Sequence, residues 1–423
     1  AYPSPMKTRI AVALILACSA VVACKREVPP AANPSGDYRV EVWPLPAAAG
    51  SMSPDLSIAS GGRLLLSWIN RQQGRRNALQ FSSYTDDGGW QSQPRTIAVG
   101  HSLVANWADT PHLLATPDGA LWAQWLQSSD ASPSGYDAVL ARSRDGGMRW
   151  EQLTRVNDDG LAAEHGFAAL WPAGTDTLGI AWLDGRAQAA TQSHGGGHHA
   201  GGAMQLRANQ FDMSLDRGTD AVLDTMTCDC CQTDVALTDK GPLLAYRDRG
   251  DDEVRDIAVL RFEAGKWSAP KPVHADGWKV EACPVNGPAI AARGNAAIVG
   301  WYSEAGGTPA LRIARSGNAG DAFEAPVLVE QGKPLLGRVD VALDDKQAWV
   351  AWLREEAAGQ RLMLARYTPD LSRQLQKLEV AKLQARGHAS GAPKLVVHGG
   401  VAWLVWTDVV EGTSRLQGAR IAR

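Results

Sequence analysis

Three cysteines fall within four positions, Cys228-Asp229-Cys230-Cys231, and a fourth, Cys283, follows 52 residues later. Sulfur donors at that density suit a soft cation such as Cu(I), or zinc in a mixed sulfur and nitrogen site. His165, Met204 and the histidines of the glycine-rich run 193–202 (His194, His198, His199) are candidate additional ligands. That run also reads as a polar loop that meets metal only incidentally. In an oxidising compartment the same four cysteines form disulfides, with three pairings open. A bridge between sequence neighbours Cys230 and Cys231 is strained, so Cys283 bonded to one member of the run is the expected staple. Copper, zinc and disulfide readings all stand at this level.

A second group carries acid–base and anion-binding chemistry. Asp109, Glu164, Tyr246 and Glu253 are candidates for proton transfer or nucleophilic attack. Arg186, Arg247, Arg255 and Arg338, together with Asn286, could hold an anionic substrate, because a guanidinium fork pairs both oxygens of a carboxylate. Tyr246 also reads as a packing aromatic. The run 246–256 alternates in charge sign and also reads as a salt-bridged loop.

A repeat places these residues. An apolar strand ending in Trp, in most copies after a small residue, recurs at Trp68, Trp125, Trp182, Trp301, Trp352 and Trp406, with Tyr246 taking the fourth place. The steps are 57, 57, 64, 55, 51 and 54 residues, a period expected of radial repetition in a β-propeller. Each unit reads as four strands, A to D, with the aromatic on strand B. Strand A is exemplified by Asp234-Val235-Ala236-Leu237 and Asp340-Val341-Ala342-Leu343. The chain opens with a lone D-like strand, Tyr38–Val42, and finishes after strands A, B and C, so the N-terminal strand is expected to complete the last blade. The expectation is an all-β, seven-bladed propeller over residues 38–423. In such a ring the D–A and B–C loops crowd one mouth of the axial channel, and all the residues above fall on those loops or at their edges.

The C–D turns carry another mark. Ser143-Arg144-Asp145-Gly146-Gly147-Met148-Arg149-Trp150 fits the Asp-box pattern, 85–90 is a shortened copy and 316–323 a degenerate one. An acidic or amide side chain bonds its own backbone there and an aromatic plugs the gap between strands. Repeated Asp-boxes on a propeller resemble the sialidase (neuraminidase) superfamily, in which six blades are usual. The resemblance implies, for an enzyme, exo-glycosidase action on acidic sugars: arginines on the carboxylate, a Tyr activated by a Glu, and an Asp as acid/base. The family's Arg-Ile-Pro signature is absent, since Arg71 has no such context, so its catalytic set is not transferred.

Residues 1–23 read as a signal peptide beginning at Met6, with Lys7 and Arg9 before an apolar stretch. Val21-Val22-Ala23-Cys24 resembles a lipobox, with Cys24 lipidated and 24–37 a flexible tether. The resemblance to lipoproteins, with Lys25 next, implies an outer-membrane anchor. Loss of Lys7 and Arg9 takes the formal charge from −3 to −5, and no basic run with interleaved aromatics suggests a nucleic-acid partner. The expected product is a monomeric, membrane-tethered propeller whose partner is a glycan, a soft metal, or an envelope protein.

Overall fold

The computed structural model describes residues 37–91, 93–129, 135–192 and 202–423. The leader, Cys24 and the histidines at 194, 198 and 199 lie outside them. Seven antiparallel sheets follow one another along the chain, each in the order A-B-C-D. Strand A of every blade contacts strand A of the blades on either side, including the last against the first, so the ring is closed at seven rather than six. Closure is sealed as the sequence implies: Arg39–Val42 pairs with Thr413–Ala422 as the outer strand of the seventh sheet.

The recurrent aromatics explain why the sheets stack. Trp68, Trp125, Trp182, Tyr246, Trp301, Trp352 and Trp406 all lie on strand B and all are buried. Alternation along strand B sends one side chain to each face, and a blade buried on both faces needs large apolar groups on both. Trp122, Trp349 and Trp403 occupy the opposite face and are equally buried. Truncating one of these indoles is expected to cost about 3–5 kcal/mol.

Around the axis a side-chain stitch joins neighbouring blades. Asp55 Oδ2 accepts the Leu113 N–H at 3.2 Å and Asp109 Oδ2 the Phe167 N–H at 2.7 Å. Asp234 Oδ2 accepts the Ile290 N–H at 2.7 Å and Asp340 Oδ2 the Leu395 N–H at 2.6 Å. Each carboxylate thus satisfies a backbone donor at strand A of the next blade, a role that favours Asp where strand A begins. Asp55, Asp234 and Asp340 line an axial cavity of about 260 Å³ with His112, Arg338 and Lys394.

At the other mouth two C–D turns share one construction. Asp145 Oδ1 accepts the Met148 and Arg149 N–H groups while Ser143 Oγ accepts that of Gly147. Asn318 and Ser316 repeat the pattern toward Ala322 and Gly320.

Candidate functional site

Cys228, Cys230 and Cys231 sit on the loop between Ala221–Asp224, strand D of blade 3, and Asp234–Thr238, strand A of blade 4. Four blades clamp this loop. The Thr227 N–H donates to the Met204 carbonyl and the Cys228 N–H to the Arg247 carbonyl. Gln232 donates to the Ala108 carbonyl and accepts the Gly287 N–H, both at 2.9 Å. Thr233 Oγ1 donates to the Phe167 carbonyl at 2.6 Å. The loop that bears Cys283 is brought in by a close backbone approach: a Cβ on Gly287 would lie 2.1 Å from the Gln232 carbonyl oxygen, so only glycine fits.

The result is a knot of thiols. Cys228 and Cys231 have their Sγ atoms 2.9 Å apart. The ligand atoms of Cys228, Cys230 and Cys231 all lie within 4.8 Å of one another. Cys230 in turn interacts with Cys283 on the neighbouring loop. All four are free thiols; Cys228 and Cys231 are buried, Cys230 half-buried and Cys283 exposed. Two sulfurs bound to one metal at about 2.3 Å each stand about 3.8 Å apart in a tetrahedral site, within this spread.

Protons are unequally shared in the knot. Hydrogen bonds from Cys230 and Cys231, aided by the Arg247 charge, pull the Cys228 thiol well below its ordinary range. Its bond to Cys230 likewise lowers Cys283. Burial, with the bond to Cys228, pushes Cys231 up to about 12. Arg255 Nη1 lies 3.6 Å from Cys228 Sγ and supports the thiolate. Glu253, held in the left-handed region at φ 63°, bridges Arg255 and Arg249 at 2.7 and 2.5 Å. The alternating charges of this run therefore order the wall beside the thiols.

The structure separates His165 from the cysteines. It is fully buried between blades 2 and 3, with Nε2 2.9 Å from Asp159 and Nδ1 3.1 Å from the Tyr136 carbonyl. Asp184 is 3.8 Å from Nε2 and takes the Arg186 fork at 2.7 and 2.8 Å. Burial opposes charge on the ring, but the bond to Asp159 and the charges of Asp184 and Asp159 outweigh it and raise the His165 pKa. An imidazolium donating from both nitrogens fits these contacts. Met204 is buried in the core between blades 3 and 4, touching the cysteine loop through its carbonyl.

The arginines expected to hold a substrate carboxylate have their forks occupied. Arg247 is buried and donates to the carbonyls of Asn286, Arg255 and Tyr302, over the Trp278 ring. Arg338 donates to Ser390 Oγ and the Gly391 carbonyl over Trp107, and burial lowers its pKa to about 10. Asn286 accepts the Arg338 N–H, fastening blade 5 to blade 6. Arg186 and Arg255 are paired as above. Tyr246 is wholly buried and donates to Asp224 at 2.5 Å, so it occupies the packing role rather than facing the mouth.

A different tyrosine does face it. Tyr136, the first residue of strand C in blade 2, forms a parallel β-bridge with Glu164, and its phenol interacts with the Glu164 carboxylate and lies near Cys230 and Asp109. Asp109 and the Tyr136 ring press on the same glycine, since a Cβ on Gly166 would lie 2.0 Å from Asp109 Oδ2 and 3.1 Å from the Tyr136 ring. Burial raises Asp109 to about 7, and its Oδ1 is buried without a hydrogen-bond partner. Burial, then the charges of Asp109 and Glu164, raise Tyr136. Tyr136 was legible as the residue where a B–C loop returns to the sheet, but no motif marks it. Asp109 and Glu164 are brought together; Tyr246 and Glu253 join other networks.

No family model matches the sequence, and no curated protein matches it. Solved structures do resemble it. A polysaccharide lyase aligns with 9% identity and a TM-score of 0.51 over 88% of this chain and 90% of its own. An ulvan lyase aligns at 10% identity and TM-score 0.47 over 77% of this chain and 80% of its own. The endosialidase of phage phi92 aligns at 10% and 0.48 over 92% of this chain and 69% of its own. At 9% identity the likeness to the first of these, the polysaccharide lyase, is one of overall fold alone.

Proposed function

We propose that this propeller binds a soft metal ion, Cu(I), through the thiolates at its channel mouth. The observation that carries the reading is the mutual approach of Cys228, Cys230 and Cys231 within 4.8 Å, with Cys283 against Cys230. Ligand spacings of one and zero intervening residues are tighter than the spacing typical of a zinc pair, and a set that is all sulfur among the described residues suits low-coordinate Cu(I). Arg255 and Arg247 offset the charge that two or three thiolates accumulate. Bound copper would supply a tightly held, slowly released cation at a rigid mouth; the chain's own residues hold and shield it. The test is titration of the reduced protein with Cu(I) in competition with a coloured chelator, alongside a thiol count on the protein as isolated. Stoichiometric uptake, with Cys228, Cys230, Cys231 and Cys283 all reacting with a thiol reagent after unfolding, is expected. No uptake, with all four thiols already in disulfides, overturns the reading.

A second reading is favoured by one observation, the contact of Tyr136 with Glu164 beside Asp109. Such a trio could perform glycoside hydrolysis, Glu164 drawing the proton from Tyr136 and Asp109 protonating the leaving oxygen. The paired arginines leave an acidic sugar without an evident fork, which places this reading second. A panel of chromogenic glycosides checks it: turnover abolished in Tyr136→Phe supports hydrolysis, and no turnover by the parent protein removes it.

A further inference from the structure

The four thiols are graded in access. Cys283 is exposed, Cys230 is half-buried, and Cys228 and Cys231 are buried. The contacts follow the same order, with Cys283 against Cys230, Cys230 against both buried thiols, and those two 2.9 Å apart. Cys283 also comes from a different loop, and that loop is fixed without help from any sulfur. Gly287 is tied to Gln232, and the Asn286 carbonyl takes two bonds from Arg247. The Cys283 thiol is therefore presented at the surface whether or not the other three are occupied.

We propose that Cys283 is the receiving ligand of the site: incoming Cu(I) binds it first and passes through Cys230 to the Cys228–Cys231 pair. This rests on the thiolate reading above. The cargo is Cu(I) already held by a donor, a small chelator or a partner's own thiols, because a surface sulfur can attack such a complex by ligand exchange. One bond from copper to the donor breaks as the bond to Cys283 Sγ forms, and the thiol proton leaves to solvent. The metal then exchanges Cys283 for Cys230 and a buried sulfur, with no change in oxidation state. Affinity resides in the buried pair together with Cys230, and the rate of loading resides in Cys283.

The experiment separates rate from equilibrium. Reduced full-length protein is mixed with the Cu(I) bis-chelate of bathocuproine disulfonate under ascorbate, and transfer is followed by loss of chelate colour. Cys283→Ser is expected to slow loading about 10-fold or more while leaving the equilibrium transfer within about 3-fold. Cys283→Met, which keeps a soft sulfur at the surface, is expected to recover most of the rate. Cys231→Ser is expected to lower affinity about 100-fold or more with a near-parental initial rate. Parental loading by Cys283→Ser overturns the order of ligands while leaving the site itself standing. An equal loss of rate and affinity makes Cys283 an ordinary ligand and also overturns it. Failure of the parent protein to take copper removes both proposals.

Discussion

Two buried clusters on adjacent blades carry metal-ligand residue types, and they differ in what their atoms already touch. In Asp159–His165–Asp184 both imidazole nitrogens are bonded, Asp184 receives the Arg186 fork, and Arg217 and Arg207 pair with Asp220 nearby. In Cys228–Cys230–Cys231 the sulfurs have chiefly one another, plus one arginine. The first cluster is neutralised by the chain itself; the second is a set of donors that a cation would complete. Both sets could ligate a metal, with oxygen and nitrogen in one and sulfur in the other, so the presence of ligand residues does not separate a structural network from a site, whereas partner accounting does. Tyr136 stands between the two, its carbonyl on His165 and its hydroxyl on Glu164 near Cys230.

The largest effect expected to test this contrast is on stability. His165→Ala leaves Asp159 without its principal partner in a buried place, and removing one partner of such a pair costs about 3–5 kcal/mol. Chemical denaturation should show that loss, while Cu(I) uptake by the folded variant stays parental. The pH dependence has a definite sign. His165 is raised above 6.5, so its contribution is complete below 6.5 and is lost as pH rises through the raised folded value. Asp159 is lowered from 3.8 to about 2, so its contribution is complete above 3.8 and is lost as pH falls toward 2. The cluster therefore supports the fold best between about 4 and 6.5, and His165→Ala should flatten both limbs. A variant that loses copper along with stability would merge the two clusters into one site.

Cys230→Ser should do the reverse, and on stability it is the smaller change. A half-buried thiol replaced by a hydroxyl alters little packing, so a cost of about 1 kcal/mol or less is expected, against a marked loss of Cu(I) retention. Equilibrium denaturation beside chelator competition measures both numbers. A stability loss comparable with that of His165→Ala would make the thiols a structural knot.

Much of this contrast was written in the chain. The Trp steps and the lone N-terminal strand give seven blades and their closure, because both depend on local patterning repeated at a fixed interval. The same repeat brings Cys283 to the Cys228–Cys231 loop across 52 residues. What it could not place was partner identity. Arg247 and Arg338 look like substrate forks in sequence, yet their forks close on backbone carbonyls and Ser390, which no motif encodes. His165 shares the mouth with the thiols by blade position but turns toward Asp159 and Asp184, because strand A pairs it directly opposite Asp184. No local pattern marks Tyr136, because its partner Glu164 approaches from the next blade.

The axial aspartates form a third case, between the two clusters, and yield the smallest expected effect. Asp340 Oδ2 accepts the Leu395 N–H and Oδ1 the Val341 N–H, and the carboxylate borders the channel beside Asp234 and Lys394. Burial, reinforced by Asp234 and opposed by Lys394, raises it from 3.8 to about 7. An acid raised on folding binds its proton more tightly in the native state, so its contribution is complete below 3.8 and is lost as pH climbs toward 7. Asp340→Asn keeps an acceptor for Leu395 and cannot ionise. It should therefore reduce the decline in denaturation midpoint between pH 5 and pH 8, by an amount of about 1 kcal/mol once channel water has screened the charge. Asp109 and Asp234 are raised too and retain part of the decline. An unchanged slope would mean that Lys394 already neutralises Asp340, placing the channel with the self-satisfied His165 network rather than with the thiols.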